Sequence, residues 1–128
     1  MSDKPASCRP GDRVSVLVVE DEMMIALDVQ MMLEDNGYAV LGPVGSVEGA
    51  LRLLDDTRPD AAVLDGNLRG QPVEPVARRL RGLGVPFVLS SAYDNATFAD
   101  HEALAGVENV RKPVTEARLI AALQRVLR

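Results

Sequence analysis

From residue 13 to the end, short apolar runs rich in branched residues alternate with stretches whose apolar residues recur at helical spacing. That alternation constrains the chain more than any other feature. The run 14–19, Val-Ser-Val-Leu-Val-Val, has almost no polar side, as a strand covered on both faces requires. A helical stripe of Ile25, Val29, Met32 and Leu33 follows and ends at Asn36-Gly37. Residues 38–41 form a second short strand, and Ser46 is placed to cap a helix carrying Val47, Ala50, Leu51 and Leu54 inward. Residues 61–64, Ala-Ala-Val-Leu, form a third strand that runs straight into Asp65, followed by a polar loop over 66–71. Val73, Val76, Ala77 and Leu80 repeat the helical stripe, which Gly82 and Gly84 close. A fourth strand over 85–89 ends at Ser90-Ser91, and residues 95–105 read as a weak, Ala-rich helix. Residues 107–111 form a fifth strand, and Thr115 precedes a last helix with Leu119, Ile120, Leu123 and Val126 inward. Five β-α units of this kind predict an α/β fold, a five-stranded parallel sheet with helices on both faces. Ligands of such sheets bind outside the carboxyl ends of the strands.

The chain has 128 residues, the size of one domain. Residues 1–12 hold two prolines and no periodicity and read as a flexible leader, which leaves 13–128 as the domain. The composition is 47% hydrophobic but only 3% aromatic, so the core must be aliphatic. A formal net charge of −5 argues against unaided nucleic-acid binding, because binders of phosphate backbones are usually basic. No apolar run approaches the roughly 20 residues that cross a bilayer. A single cysteine, Cys8, and no signal-peptide pattern point to a cytoplasmic location. His101 is the single histidine and reads as a surface residue. Met23, Met24, Met31 and Met32 make the first helix methionine-rich and read as core filling. Arg78, Arg79 and Arg81 read as a solvated face.

The strand ends carry the chemistry. Glu20-Asp21 follow the first strand, Asp65 the third, Ser90-Ser91 end the fourth, and Lys112-Pro113 follow the fifth. Acidic residues after one strand are usually solvated loop residues. Three carboxylates, a hydroxyl and an ammonium converging on one sheet edge are harder to explain that way. Clustered carboxylates repel one another unless a cation joins them. Mg²⁺ favours such oxygens and keeps several waters. A carboxylate can attack phosphorus and form an aspartyl phosphate. Lys112 could then hold a phosphoryl oxygen as a point charge, and the Ser91 hydroxyl could donate to another.

These motifs together resemble the receiver domain of two-component response regulators. They are Val-Val-Glu-Asp-Glu at 18–22, Val-Leu-Asp at 63–65 with Asn67, Ser-Ala-Tyr at 91–93 and Lys-Pro at 112–113. The resemblance covers roughly residues 13 to 127 and implies the doubly wound, flavodoxin-like receiver fold. It makes Asp65 the phospho-acceptor, Asp21 a direct Mg²⁺ ligand, Glu20 a ligand through water and the Asn67 backbone carbonyl the third protein ligand. Ser91 matches the switch hydroxyl and Lys112 the phosphate-binding lysine, with a cis bond before Pro113. The implied donor is a sensor histidine kinase or a histidine phosphotransfer protein. The output would pass through contacts with a downstream protein, and the oligomeric state is left open. Such a domain catalyses only its own phosphorylation and dephosphorylation and is not an enzyme in the ordinary sense.

The sequence also departs from the pattern. The switch hydroxyl is usually Thr, whereas Ser91 lacks the β-branch that restricts χ1. Three residues before Lys112, where an aromatic is usual, stands Asn109. With no ring to turn inward, a conformational response is expected to travel through residues 91–105. The segments around Asp65 and Ser91 resemble stand-alone regulators of α-proteobacteria and receivers attached to some hybrid kinases. The competing readings are a phosphorylation-independent interaction module that keeps only the fold, and a Mg²⁺-dependent phosphatase with an aspartyl nucleophile. The second usually carries an Asp two residues after the nucleophile, where this chain has Asn67.

Overall fold

A computed structural model describes residues 13–68, 71–91, 107, 109–111 and 114–127. The leader, the expected helix over 95–105 with His101, and Lys112-Pro113 lie outside the described residues. In chain order the elements are β1 (Ser15–Val19), α1 (Met23–Asp35), β2 (Ala39–Val44), α2 (Val47–Asp56), β3 (Ala61–Asp65), β4 (Asn67–Leu68), β5 (Gln71–Pro72), α3 (Glu74–Leu83), β6 (Phe87–Ser91), β7 (Asn109–Arg111) and α4 (Glu116–Leu127). The main sheet has five strands in the order β2-β1-β3-β6-β7, all parallel. This is the flavodoxin-like order, and the chain switches direction across the sheet between β1 and β3.

Alternation along the strands splits the core into two layers. Leu17, Val19, Ala62, Leu64 and Leu89 face α2 and α3, where Leu54, Val76 and Leu80 close over them. Val16, Val18, Val63, Val88 and Val110 face α1 and α4, against Val29, Leu33, Leu119 and Leu123. The core expected from the composition is present on both faces, aliphatic apart from Phe87 in one layer and Tyr38 in the other. The helix ends also follow the sequence. The Ser46 hydroxyl accepts from the Gly49 backbone N–H at 3.0 Å and caps α2. Gly84 takes the left-handed conformation, φ 73°, that ends α3.

Four expectations need correction. Met23, Met24 and Met31 do not fill the core: they are 74%, 81% and 61% exposed, and only Met32 packs inward. The loop after Asp65 is not irregular throughout, because β4 and β5 pair antiparallel, Asn67 with Pro72 and Leu68 with Gln71. Leu68, buried beneath this hairpin, anchors it in the α2–α3 layer. The second strand begins one residue later than expected and continues to Val44, through an irregularity where β1 advances from Leu17 to Val19 while β2 advances from Leu41 to Val44. Gly42 makes the extra residue possible: its φ is 92°, and a Cβ there would lie 2.7 Å from the Val44 backbone nitrogen. The fourth and fifth strands begin two residues later than expected, at Phe87 and Asn109.

Candidate functional site

Each acidic residue is set by the strand that precedes it. β1 is buried through Val19, so Glu20 leaves the sheet at its carboxyl edge. The Glu20 backbone N–H donates to the Val44 carbonyl at 2.9 Å, which ties this exit to the end of β2. Its carboxylate accepts from the Glu22 backbone N–H at 3.1 Å, turning the side chain back over the edge. The Gly45 backbone runs close beneath: a Cβ at that position would lie 3.6 Å from the Asp21 Cα. Asp65 is the last residue of β3, between β1 and β6. Just past it, the Gly66 backbone N–H donates to the Ser90 carbonyl at 3.2 Å and holds the chain against β6.

The result is one cluster at the topological switch point. Glu20, Asp21 and Asp65 each bring a carboxylate oxygen to within 4.8 Å of the others. Glu20 and Asp65 are only 5% exposed, and Asp21 is half-buried. Carboxylates removed from water this far lose hydration, and bringing them together adds repulsion. The donor set fits a small hard cation. An octahedral Mg²⁺ with oxygens at about 2.1 Å spans about 4.2 Å between opposite ligands. Oxygens within 4.8 Å of one another are close to that span, so the three carboxylates suit one small ion.

Asn67 opens β4 two residues beyond Asp65, and its pairing with Pro72 fixes its backbone in the hairpin. Ser91 ends β6, one position beyond the Ser90 that pairs with Asp65. The side chains of Asn67 and Ser91, and Lys112 altogether, lie outside the described residues. Sequence reasoning overlooked the support around the carboxylates: Val44, Gly45 and the Glu22 backbone N–H. A turn-like Leu-Gly-Pro-Val in the sequence was the available signal for this. A groove lined by Val14, Tyr38, Asp60, Pro86 and Gln124 lies at the opposite, amino-terminal edge of the strands, away from this chemistry.

Comparison with known proteins gives a consistent result. A family model described as the response regulator receiver domain matches residues 16–124. The transcriptional regulatory protein CseB of Streptomyces coelicolor is 34% identical over 120 residues, which are 92% of this chain and 51% of that protein. This chain spans about half the length of the curated relatives it matches. Among solved structures, a response regulator receiver protein from Sinorhizobium medicae WSM419 superposes with a TM-score of 0.79 at 29% identity, covering 91% of this chain and 95% of that one. The receiver domain of a sensor histidine kinase from Pseudomonas aeruginosa PAO1 superposes with a TM-score of 0.77 at 27% identity, covering 90% of this chain and 98% of that one. That structure carries a magnesium ion coordinated in the active site cleft.

Proposed function

This chain belongs to the response regulator receiver domain family, and from that premise we propose that Asp65 takes a phosphoryl group in a Mg²⁺-dependent reaction. The observation that carries the reading is the buried cluster of Glu20, Asp21 and Asp65 at the sheet's carboxyl edge. A domain retained only for its surface has no use for two buried carboxylates and a half-buried third gathered at one point. That favours phosphoryl acceptance over a phosphorylation-independent module.

The protein's work is positioning and charge balance. Asp65, fixed at the end of a fully buried strand, presents a carboxylate oxygen for attack on phosphorus. Asp21 and Asp65 would hold the metal directly, together with the Asn67 backbone carbonyl, and Glu20 would act through a water. A bound Mg²⁺ supplies positive charge to the phosphoryl oxygens as they approach the acidic cluster. Lys112 would pair with a phosphoryl oxygen, and the Ser91 hydroxyl would donate to another and begin the switch.

The donor is a phosphohistidine on a sensor histidine kinase or a histidine phosphotransfer protein, and the phosphorylated domain signals through contacts with a downstream protein. The reaction is confined to the domain's own phosphorylation and dephosphorylation. Among the described residues no helix is long and apolar enough to cross a membrane. We place the domain in the cytoplasm, where such donors act, and expect no binding to DNA by this chain alone, given its net charge of −5.

The test is intact-mass spectrometry after incubation with acetyl phosphate and Mg²⁺. The parent protein should gain one phosphoryl mass, and Asp65→Asn none. Equal labelling of the two would overturn the assignment.

A further inference from the structure

Ser90 is the buried polar residue of the site that neither metal binding nor the switch employs. It is 2% exposed, and its hydroxyl oxygen has no hydrogen-bond partner among the described residues. Buried hydroxyls are normally satisfied, and an orphan costs free energy in the state where it is observed. A state of the molecule that supplies the missing acceptor regains that free energy.

The sheet shows where such an acceptor stands. In β6, Val88 packs in the α1–α4 layer, and Ser90, two residues on, faces the same way. The register partners of Ser90 are Asp65 on β3 and Val110 on β7. Register neighbours in parallel strands project to the same face and sit about 4.8 Å apart. Val63, two residues before Asp65, and Val110 both belong to the α1–α4 layer. Val110 is apolar, so of the two register partners of Ser90 only Asp65 carries a side-chain acceptor. The Ser90 main chain is already engaged, since its carbonyl accepts from the Gly66 N–H. The side chain is therefore the remaining free variable, and a rotation about χ1 is enough to redirect its proton.

Resting on the reading of Asp65 as phospho-acceptor, we infer that the Ser90 hydroxyl promotes loss of the phosphoryl group by donating a hydrogen bond to the departing Asp65 carboxylate. In hydrolysis, a water oxygen bonds to phosphorus and the bond from phosphorus to the Asp65 oxygen breaks. Its electron pair returns to Asp65 as carboxylate charge, and the water's proton leaves with inorganic phosphate or to solvent. A hydrogen bond to developing carboxylate charge is stronger than one to a neutral acyl oxygen. It therefore stabilises the transition state more than the phosphorylated ground state, and interactions of that kind raise the rate. Ser90 thus sets how long the signal lasts, a separate role from that of Ser91 in the switch.

Parent, Ser90→Ala, Ser90→Thr and Asp65→Asn proteins are treated with acetyl phosphate and Mg²⁺, desalted, and followed by intact mass in fresh Mg²⁺ buffer. Thermal melting of the metal-free proteins is recorded in parallel. Ser90→Ala should keep its phosphoryl group roughly tenfold longer than the parent. It should also melt at or above the parent, because it loses an orphan hydroxyl. Ser90→Thr, which keeps the donor, should decay at close to the parent rate. Equal lifetimes for parent and Ser90→Ala would overturn the inference. So would a Ser90→Thr protein as long-lived as Ser90→Ala, which would make the effect one of packing. A Ser90→Ala protein melting well below the parent would show that the hydroxyl is already partnered at rest, and would also overturn it. Labelling of Asp65→Asn equal to the parent would instead refute the acceptor assignment.

Discussion

Leu64 and Asp65 are neighbours in β3, both buried, and they belong to different regions of the molecule. Leu64 is part of the body of the sheet, where residues 16–19 of β1 and 61–64 of β3 form an unbroken apolar run divided between the two core layers. Asp65 is part of the rim, where Glu20 and Asp65 are nearly as buried but carry charge, and where Ser90 adds a hydroxyl. Burial in the body gains hydrophobic free energy, about 1.5–3 kcal/mol for a fully buried Leu or Val. Burial on the rim costs free energy, because charge is desolvated beside like charge. The difference teaches a division of labour. The body supplies the burial that gathers the rim's carboxylates at one point, and that gathering is what the proposed cation would use.

Substitutions can break this comparison, and the largest effect is expected on the rim. Asp21→Ala should abolish Mg²⁺-dependent labelling by acetyl phosphate. Its metal-free form should still unfold in one cooperative transition, because Asp21 lies outside both core layers. A large fall in stability would mean that Asp21 supports the fold. In the body the signs reverse. Leu64→Ala should cost about 2–5 kcal/mol in urea unfolding. Under conditions where it stays folded, its Mg²⁺ affinity should remain near the parent's. Two smaller effects sharpen the contrast away from both regions. Ser46→Ala removes the cap of α2 and should cost about 1 kcal/mol by the same unfolding assay. Arg79→Ala removes the 2.6 Å pair with Asp55 on the solvent side of α3. It should cost less than about 1 kcal/mol, and less still in high salt.

The body was the more legible region. A strand covered on both faces has to be apolar nearly throughout, so residues 14–19 and 61–64 announce themselves. The three carboxylates were legible because strand ends in a parallel sheet converge, and the structure brings Glu20, Asp21 and Asp65 together as expected. The β4–β5 hairpin was not, because strands of two residues leave no periodicity to read. Leu68, alone and apolar in a polar loop, was its one trace. The methionines misled through composition. Met24, Leu27 and Met31 fall at i, i+3 and i+7, a stripe of their own apart from the one that Val29 and Leu33 bury. Spacing, not hydrophobicity, separates the two. Ser90 was visible in the sequence beside Ser91, but a buried orphan hydroxyl appears only once the register with Asp65 is known.

The central claim is that the body delivers one particular carboxylate of the rim to phosphorus, and the position of the phosphoryl group tests this most directly. Borohydride reduces an aspartyl phosphate to homoserine, leaving a permanent mark that peptide mass spectrometry can place. After phosphorylation with acetyl phosphate and Mg²⁺, the account predicts homoserine at position 65 and no reduction product at Glu20 or Asp21. Homoserine at position 21, or a reduced residue away from the carboxyl edge of the sheet, would contradict it.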